Sequence, residues 1–281
     1  MTTISGTTRI FPVIGWPVEQ VKAPALFNAY FTRHGIDAAV IPLKVPPALY
    51  RDTVRMLMQL PNIGGIFVSI PHKPMTLEAV DHVTQRARLA NACNAVFRQP
   101  DGSTVGDLID GEGFVRALDR VSADSPLSWP DASALVVGAG GVGCAIAASL
   151  AGRGIGALSI FDTRADSAAD LQARLAAAFP KTRVTVGTPQ ARGFDLVVNS
   201  TPLGMQADDP IPVDLDGIGP GAIVADCVMK VEMTPLLLDA QRRGCRIQKG
   251  REMLIEQAPL YLELFGWPGA SSADFRVLEA L

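Results

Sequence analysis

The sequence predicts an α/β protein of two domains, each on a mainly parallel sheet, one of them doubly wound to hold a dinucleotide. Three observations carry this. Apolar β-branched runs alternate with segments of helical spacing along most of the 281 residues, the pattern of parallel strands covered on both faces. One such run, from Ala134, meets Gly138, Gly140 and Gly143, then a small-residue helix, then a second apolar run closing on Asp162. Strand, glycine turn, helix, strand and acid is the order of a Rossmann-type mononucleotide half. The length also suffices for two separate cores.

The first part reads as strand Arg9–Gly15, helix Pro24–His34 stopped by Gly35, strand Ala38–Val45, helix Ala48–Leu60 and strand Gly65–Ile70. Helical segments are expected from Pro74 to Leu89, then a short strand at Ala92–Phe97, after which the Gln99–Gly102 turn leads into Thr104–Gly106. Gly111–Val121 reads as a helix, and the Ser/Asp/Pro-rich Ser122–Asp131 as a loop. After Asp162 come helix Ser167–Phe179 and strands Arg183–Val186, Phe194–Asn199 and Ala222–Val228. Thr234 is a good N-cap before Pro235 at N1, opening a helix that Gly244 closes. Strand Arg246–Gln248 precedes a last helix, about Arg251 to Phe265, which Pro259 should bend.

Within the glycine stretch each residue has its own task. Gly138 permits the tight turn, Gly140 admits a pyrophosphate to the backbone, and Gly143 lets the helix pack on the sheet. The amides opening that helix, through Ala139, Gly141 and Val142, would hold phosphates.

A net charge of −3 with 48% hydrophobic residues lacks the basic footprint of nucleic-acid binding. No apolar run reaches bilayer length, and Met1–Arg9 is polar, so the expectation is a cytoplasmic protein without a membrane partner. Cys93, Cys144, Cys227 and Cys245 are scattered, as are His34, His72 and His82. Buried thiols and no metal site are expected.

Two polar stretches in the first part could move a proton. In Ser69-Ile70-Pro71-His72-Lys73-Pro74, Lys73 follows a strand end at the expected start of a helix, where the macrodipole disfavours its charged form. An ordinary surface lysine is the competing explanation. In Gly106-Asp107-Leu108-Ile109-Asp110-Gly111, Asp107 fits a simple N-cap, while Asp110 lies where the two domains should meet. Spacing alone leaves open whether Lys73 and Asp110 form a catalytic pair.

These stretches resemble the shikimate dehydrogenase family over nearly the whole chain. Val68–Lys73 is similar to its N-V-T-V-P-x-K segment, Ala92-Cys93-Asn94-Ala95 to A-V-N-T, and Gly106–Gly111 to G-D-N-T-D-G. Asn199–Met205 resembles its N-[AS]-T-x-x-G-M loop, and Gly250–Gln257 its G-x-x-M-L-x-x-Q. Asp226 and Thr234–Leu237 match as well. The resemblance implies a substrate-binding domain at 1–106 completed by 248–281, and a Rossmann NAD-binding domain at 107–247. It implies Lys73 and Asp110 as catalytic residues, and Lys22, Ser69, Asn94 and Gln257 on substrate. Gly138 to Gly143, Asp162, Thr163, Arg164, Thr201, Pro202, Leu203, Gly204, Met205, Val228, Gly250 and Met253 would bind the cofactor. A monomer or homodimer is expected.

Departures from the family pattern bear on specificity. Where the family holds the substrate carboxylate with an S-x-S pair, this chain has Val21-Lys22-Ala23. Phe67 replaces an asparagine, and Leu108-Ile109 replace Asn-Thr. Each unmatched polar group costs a ligand roughly 1–3 kcal/mol, so shikimate should fit poorly unless Lys22, Tyr30 or another side chain compensates. Quinate, an aminated analogue or another carbocyclic hydroxy-acid is the expected substrate. Members using NADP carry Asn-Arg-Thr or Asn-Arg-Ser where this chain has Asp162-Thr163-Arg164. A carboxylate there accepts bonds from a ribose hydroxyl and repels a 2′-phosphate, so NAD is preferred, although Arg164 offers NADP a partner. The expected function is reversible oxidation of a ring secondary alcohol to the ketone. The alternative is a non-catalytic NAD or metabolite sensor on the same fold.

Overall fold

The computed structural model describes residues 4–206 and 208–278, and the chain divides into two compact units. One runs through Ile109 and resumes at Gln257; the other is Asp110–Glu256. These crossings lie beyond the expected 106/107 and 247/248.

The first unit contains β1 (Arg9–Gly15), α1 (Ala23–His34), β2 (Ala38–Lys44), α2 (Tyr50–Leu57), β3 (Ile66–Val68), β4 (His82–Val83), α3 (Gln85–Ala90), β5 (Ala95–Arg98) and β6 (Thr104–Asp107). The second contains α4 (Asp110–Val121), β7 (Ser133–Val137), α5 (Gly141–Gly152), β8 (Ala157–Phe161), α6 (Ala165–Ala178), β9 (Arg183–Val186), β10 (Leu196–Asn199), β11 (Ile223–Asp226), α7 (Pro235–Arg242) and β12 (Arg246–Gln248). Helix α8 (Gly250–Leu264) carries the chain from the second unit into the first, which α9 (Ser272–Arg276) completes.

The second unit's sheet runs β12-β11-β10-β7-β8-β9, parallel throughout. Read from β7, this is the doubly wound order, reversing direction between β7 and β10, where such folds bind ligands. The first unit's sheet runs β2-β1-β3-β5-β6-β4, parallel except that β5 lies antiparallel to both neighbours.

Local signals account for most boundaries. Gly35 takes φ 63° and ends α1, its amide bonded to the last turn's carbonyls. Thr234 Oγ1 accepts the Leu237 amide at 3.3 Å and opens α7 as expected. The stretch Pro74–Leu89 departs from the reading: a 3-10 turn (Pro74–Glu78) and β4 precede the short α3. Asp81 explains the strand, because its carboxylate takes the Thr104 amide and hydroxyl at 2.8 Å each and draws β4 alongside β6. Nor did the sequence reading find α9, whose capping box joins Ser271 and Asp274.

The cores differ in kind. In the first unit Phe27 meets Phe67 at 4.9 Å and Phe275 at 5.7 Å, and Phe67 meets Tyr261 at 4.5 Å and Phe265 at 5.0 Å. The second unit packs Leu135, Val137, Val197, Val224, Leu236 and Ala240. Among the described residues no helix is long and apolar enough to cross a membrane.

Candidate active site

The nucleotide end lies in the second unit at the carboxyl end of β7. Gly138 sits at φ 103°, a conformation that favours glycine, with Ser200 Oγ 2.9 Å from where a Cβ would stand. At Gly143 an added Cβ would fall 1.9 Å from the Gly138 carbonyl oxygen. Gly140 is the reverse case: its vacant Cβ direction has nothing within 4 Å, and Gly140 and Gly141 are exposed. No side chain caps α5, so amides of its first turn face outward and suit an anion. The residues fit the phosphates of a dinucleotide.

Asp162 follows β8 and closes this turn. Its Oδ2 accepts the Ala139 amide at 2.7 Å and its Oδ1 the Arg164 amide at 2.8 Å. The carboxylate is thus oriented by backbone donors beside the glycine turn. Arg164 Nε lies 3.8 Å from Oδ1 on a largely exposed side chain, and Thr163 is exposed. Cys144 is buried, as expected of a packing residue, with its Sγ 3.3 Å from the Ala139 carbonyl.

Beyond the turn, a polar network orders the loop after β10. Asn199 Oδ1 accepts the Thr201 amide at 3.0 Å and hydroxyl at 2.7 Å, while its Nδ2 donates to the Leu203 carbonyl and to Asp226 Oδ1, both at 3.0 Å. Asp226 also accepts the Val228 amide at 3.0 Å and the Thr234 hydroxyl at 2.7 Å. Burial raises the Asp226 carboxyl above its ordinary range, opposed by these three donors. The network ties Thr201–Gly204, Val228 and the start of α7 together. Pro202 and Met205 stay exposed, whereas Gly204, Val228, Gly250 and Met253 are buried.

In the first unit Ser69 and Lys73 follow β3, both half-buried. Lys73 precedes the five-residue 3-10 turn rather than an α-helix. A piece so short has almost no aligned dipole, so the macrodipole argument for this lysine does not hold. Its backbone is nevertheless fixed, the carbonyl accepting the Cys93 amide at 2.9 Å. Burial, with the nearby Asp107 charge adding to it, pushes the Cys93 thiol up to about 12. Asn94 is buried; its Oδ1 accepts the Ile109 amide at 3.1 Å and its carbonyl the Tyr261 hydroxyl at 3.3 Å.

Asp107 is not the N-cap the sequence suggested. Its carboxylate takes Arg86 Nε at 2.7 Å and Nη2 at 2.5 Å, the Thr84 hydroxyl at 2.6 Å and the Leu108 amide at 2.8 Å. Held this way it pins the end of β6 instead of opening α4. Arg86 carried no sequence signal, because its partner lies 21 residues away and only the β4–β6 pairing brings them together. Tyr30 also departs from expectation: buried and stacked on Phe275 at 4.7 Å and His34 at 4.2 Å, it belongs to the core and not to a substrate grip. Phe67, Leu108 and Ile109 are buried too. Gln257 is buried in α8, and Lys22 is exposed at the uncapped start of α1. Asp110, buried, opens α4 in the second unit, where a carboxylate suits the first turn.

A family model described as the shikimate dehydrogenase substrate binding domain matches residues 13–96, and a ThiF family model matches residues 115–201. A Rhodospirillum rubrum protein named shikimate dehydrogenase (NADP(+)) is 38% identical over 263 residues, covering 90% of each chain. Among solved structures, the quinate dehydrogenase from Corynebacterium glutamicum in complex with NAD is 27% identical with a TM-score of 0.84, covering 96% of this chain and 97% of that one. The ligand-free 5-ketofructose reductase of Gluconobacter sp. strain CHM43 shares the fold, with a TM-score of 0.86, 24% identity and coverage of 96% and 97%. With the matched motifs spread over both units, the chain belongs to the shikimate dehydrogenase family.

Proposed function

We propose that the chain is an NAD-preferring dehydrogenase that reversibly oxidises a ring secondary alcohol of a shikimate-like hydroxy-acid to the ketone. The observation that carries the cofactor preference is the Asp162 carboxylate, oriented by two backbone amides beside the glycine turn. An acceptor there suits a ribose hydroxyl and repels a 2′-phosphate. In this preference the chain differs from the Rhodospirillum rubrum relative, whose name specifies NADP(+), and resembles the quinate dehydrogenase solved with NAD.

The nicotinamide, when bound, supplies the hydride acceptor. The amides of Gly140–Gly143 would hold the pyrophosphate, with the Ala139 amide spent on Asp162. Asp162 would meet the ribose, and Thr201–Met205, Val228, Gly250 and Met253 would flank the nicotinamide end. Lys73 exchanges the hydroxyl proton at Nζ, with Asp110 as the carboxylate that orients it. Ser69, Asn94 and Gln257 bind substrate hydroxyls, and Lys22 takes the place of the missing serines. The two domain roles follow, the first unit for substrate and the second for NAD.

A rate matrix tests this: NAD+ and NADP+ against shikimate, quinate and aminated or less hydroxylated analogues. The expected result is NAD+-dependent oxidation, with shikimate a poor substrate. NADP+-only activity overturns the cofactor reading, and rapid shikimate turnover overturns the substrate reading. The apolar Val21 and Ala23 beside Lys22 favour one second reading, a metabolite sensor. NADH binding without turnover across the whole panel would establish it.

A further inference from the structure

One side chain of the Ser69–Thr76 stretch is used by neither the cofactor nor the proton-exchange reading. His72 is fully buried in the first unit, its ring stacked on Tyr50 with centroids 4.3 Å apart and planes 8° from parallel. Its Nε2 lies 2.8 Å from the Val45 carbonyl. A carbonyl only accepts, so Nε2 carries the proton and donates. Nδ1 is then left buried with no hydrogen-bond partner. An aromatic or aliphatic residue would fill this space without stranding a polar atom, so the histidine must return something that apolar packing does not.

What it returns is a cross-link. Val45 follows β2, His72 follows β3, and β1 lies between those strands. Backbone bonds already join the loops at this end: Val45 N–H to Gly15 O at 3.2 Å, Trp16 N–H to Ile70 O at 2.9 Å, and Ser69 N–H to Ile14 O at 2.8 Å. The imidazole adds a side-chain bond that reaches past β1. Behind it, the Thr76 hydroxyl donates to the His72 carbonyl at 3.0 Å and accepts from the Tyr50 hydroxyl at 2.6 Å. The next residue is Lys73, whose carbonyl is held by the Cys93 amide.

We infer that His72 is a positioning residue: through its bond to Val45 and its stack on Tyr50 it fixes the backbone from which Lys73 projects. The inference rests on reading Lys73 as the proton-exchanging group, but its geometry can be tested without any substrate.

The experiment uses the full chain as wild type, H72F, H72Q and K73A. Amide exchange over residues 69–76 and the rate of Lys73 acylation at one pH are read by peptide mass spectrometry, with the exposed Lys181 and Lys230 as internal standards. H72F keeps a ring and loses the donor; its 69–76 amides should exchange at least about tenfold faster, and its Lys73 acylation rate relative to Lys181 should change by more than about twofold. H72Q keeps a donor for Val45 but loses the stack, so its exchange should quicken by no more than about threefold, well short of H72F, with Lys73 acylation within about twofold of wild type. An H72F protein of unchanged melting temperature with both readouts within about twofold of wild type overturns the inference. Should H72F not fold, Y50L removes the stack together with the Tyr50 hydroxyl bond to Thr76 and should speed exchange about threefold, and no change there also overturns it. Turnover by K73A of the best substrate in the rate matrix separates the two readings: a rate equal to wild type ends the role of Lys73 and leaves the His72 result to stand on exchange and acylation alone.

Discussion

The two units solve packing in opposite ways. Among the described residues every ring–ring contact lies in the first unit, joining segments as distant as Phe67 and Phe265. The second unit uses aliphatic and small residues, and at Gly143 the α5 backbone approaches the turn so closely that no side chain fits. Its polar work is done by backbone amides and a few buried, hydrogen-bonded side chains, notably Asn199, Asp226 and Thr234. A site made of backbone tolerates little change in what surrounds it. A site carried on side chains over an aromatic core can lose its polar groups and keep its fold.

Substitutions can break this contrast. G143A places a methyl 1.9 Å from the Gly138 carbonyl oxygen, so NADH affinity should fall at least about a hundredfold by fluorescence titration while the first unit stays folded. F67N puts an amide into the aromatic cluster in place of a ring, costing about 3–5 kcal/mol. Urea unfolding should locate that loss in the first unit, with NADH binding unchanged. K73A should retain NADH affinity and lose at least about tenfold in turnover. D226A strands the donors of Thr234, Asn199 and Val228 and should cost on the order of 3 kcal/mol. Affinity for NADH should weaken with it, since the Thr201–Gly204 loop hangs on Asn199.

A smaller effect comes with pH. Burial lowers the His72 pKa from its ordinary 6.5, opposed by the bond to Val45. The unfolded chain therefore takes up a proton more readily than the folded one. The stability this gives is complete above pH 6.5 and is lost as pH falls below it toward the folded value. In thermal melts between pH 7.5 and 5 wild type should lose more stability than H72Q, and equal losses would contradict the assignment.

The same contrast explains what could be read from the sequence. Gly138, Gly140, Gly143 and Asp162 are spaced by local geometry, and Thr234-Pro235 opens α7 by local capping, so these signals were visible residue by residue. The first unit's arrangement depends on long-range contacts that no spacing reveals. Asp107 looks like an N-cap until β4 brings Arg86 to it. Tyr30 looks available until α9 stacks Phe275 on it. Lys73 looked like the start of a helix because Pro74 follows, yet the turn stops after five residues. His72 fits no metal pattern and carries no other local signal, since its partners Val45 and Tyr50 are more than 20 residues back in the chain.

The most direct test of the account is the binding of NADH and NADPH to the full chain, which needs no substrate. If the Asp162 carboxylate, oriented beside the glycine turn, meets the ribose as proposed, NADPH should bind at least about tenfold more weakly, a difference of roughly 1.4 kcal/mol or more. D162N/T163R should narrow or reverse that ratio. NADPH binding as tightly as NADH, or more tightly, in the wild-type protein would contradict the account.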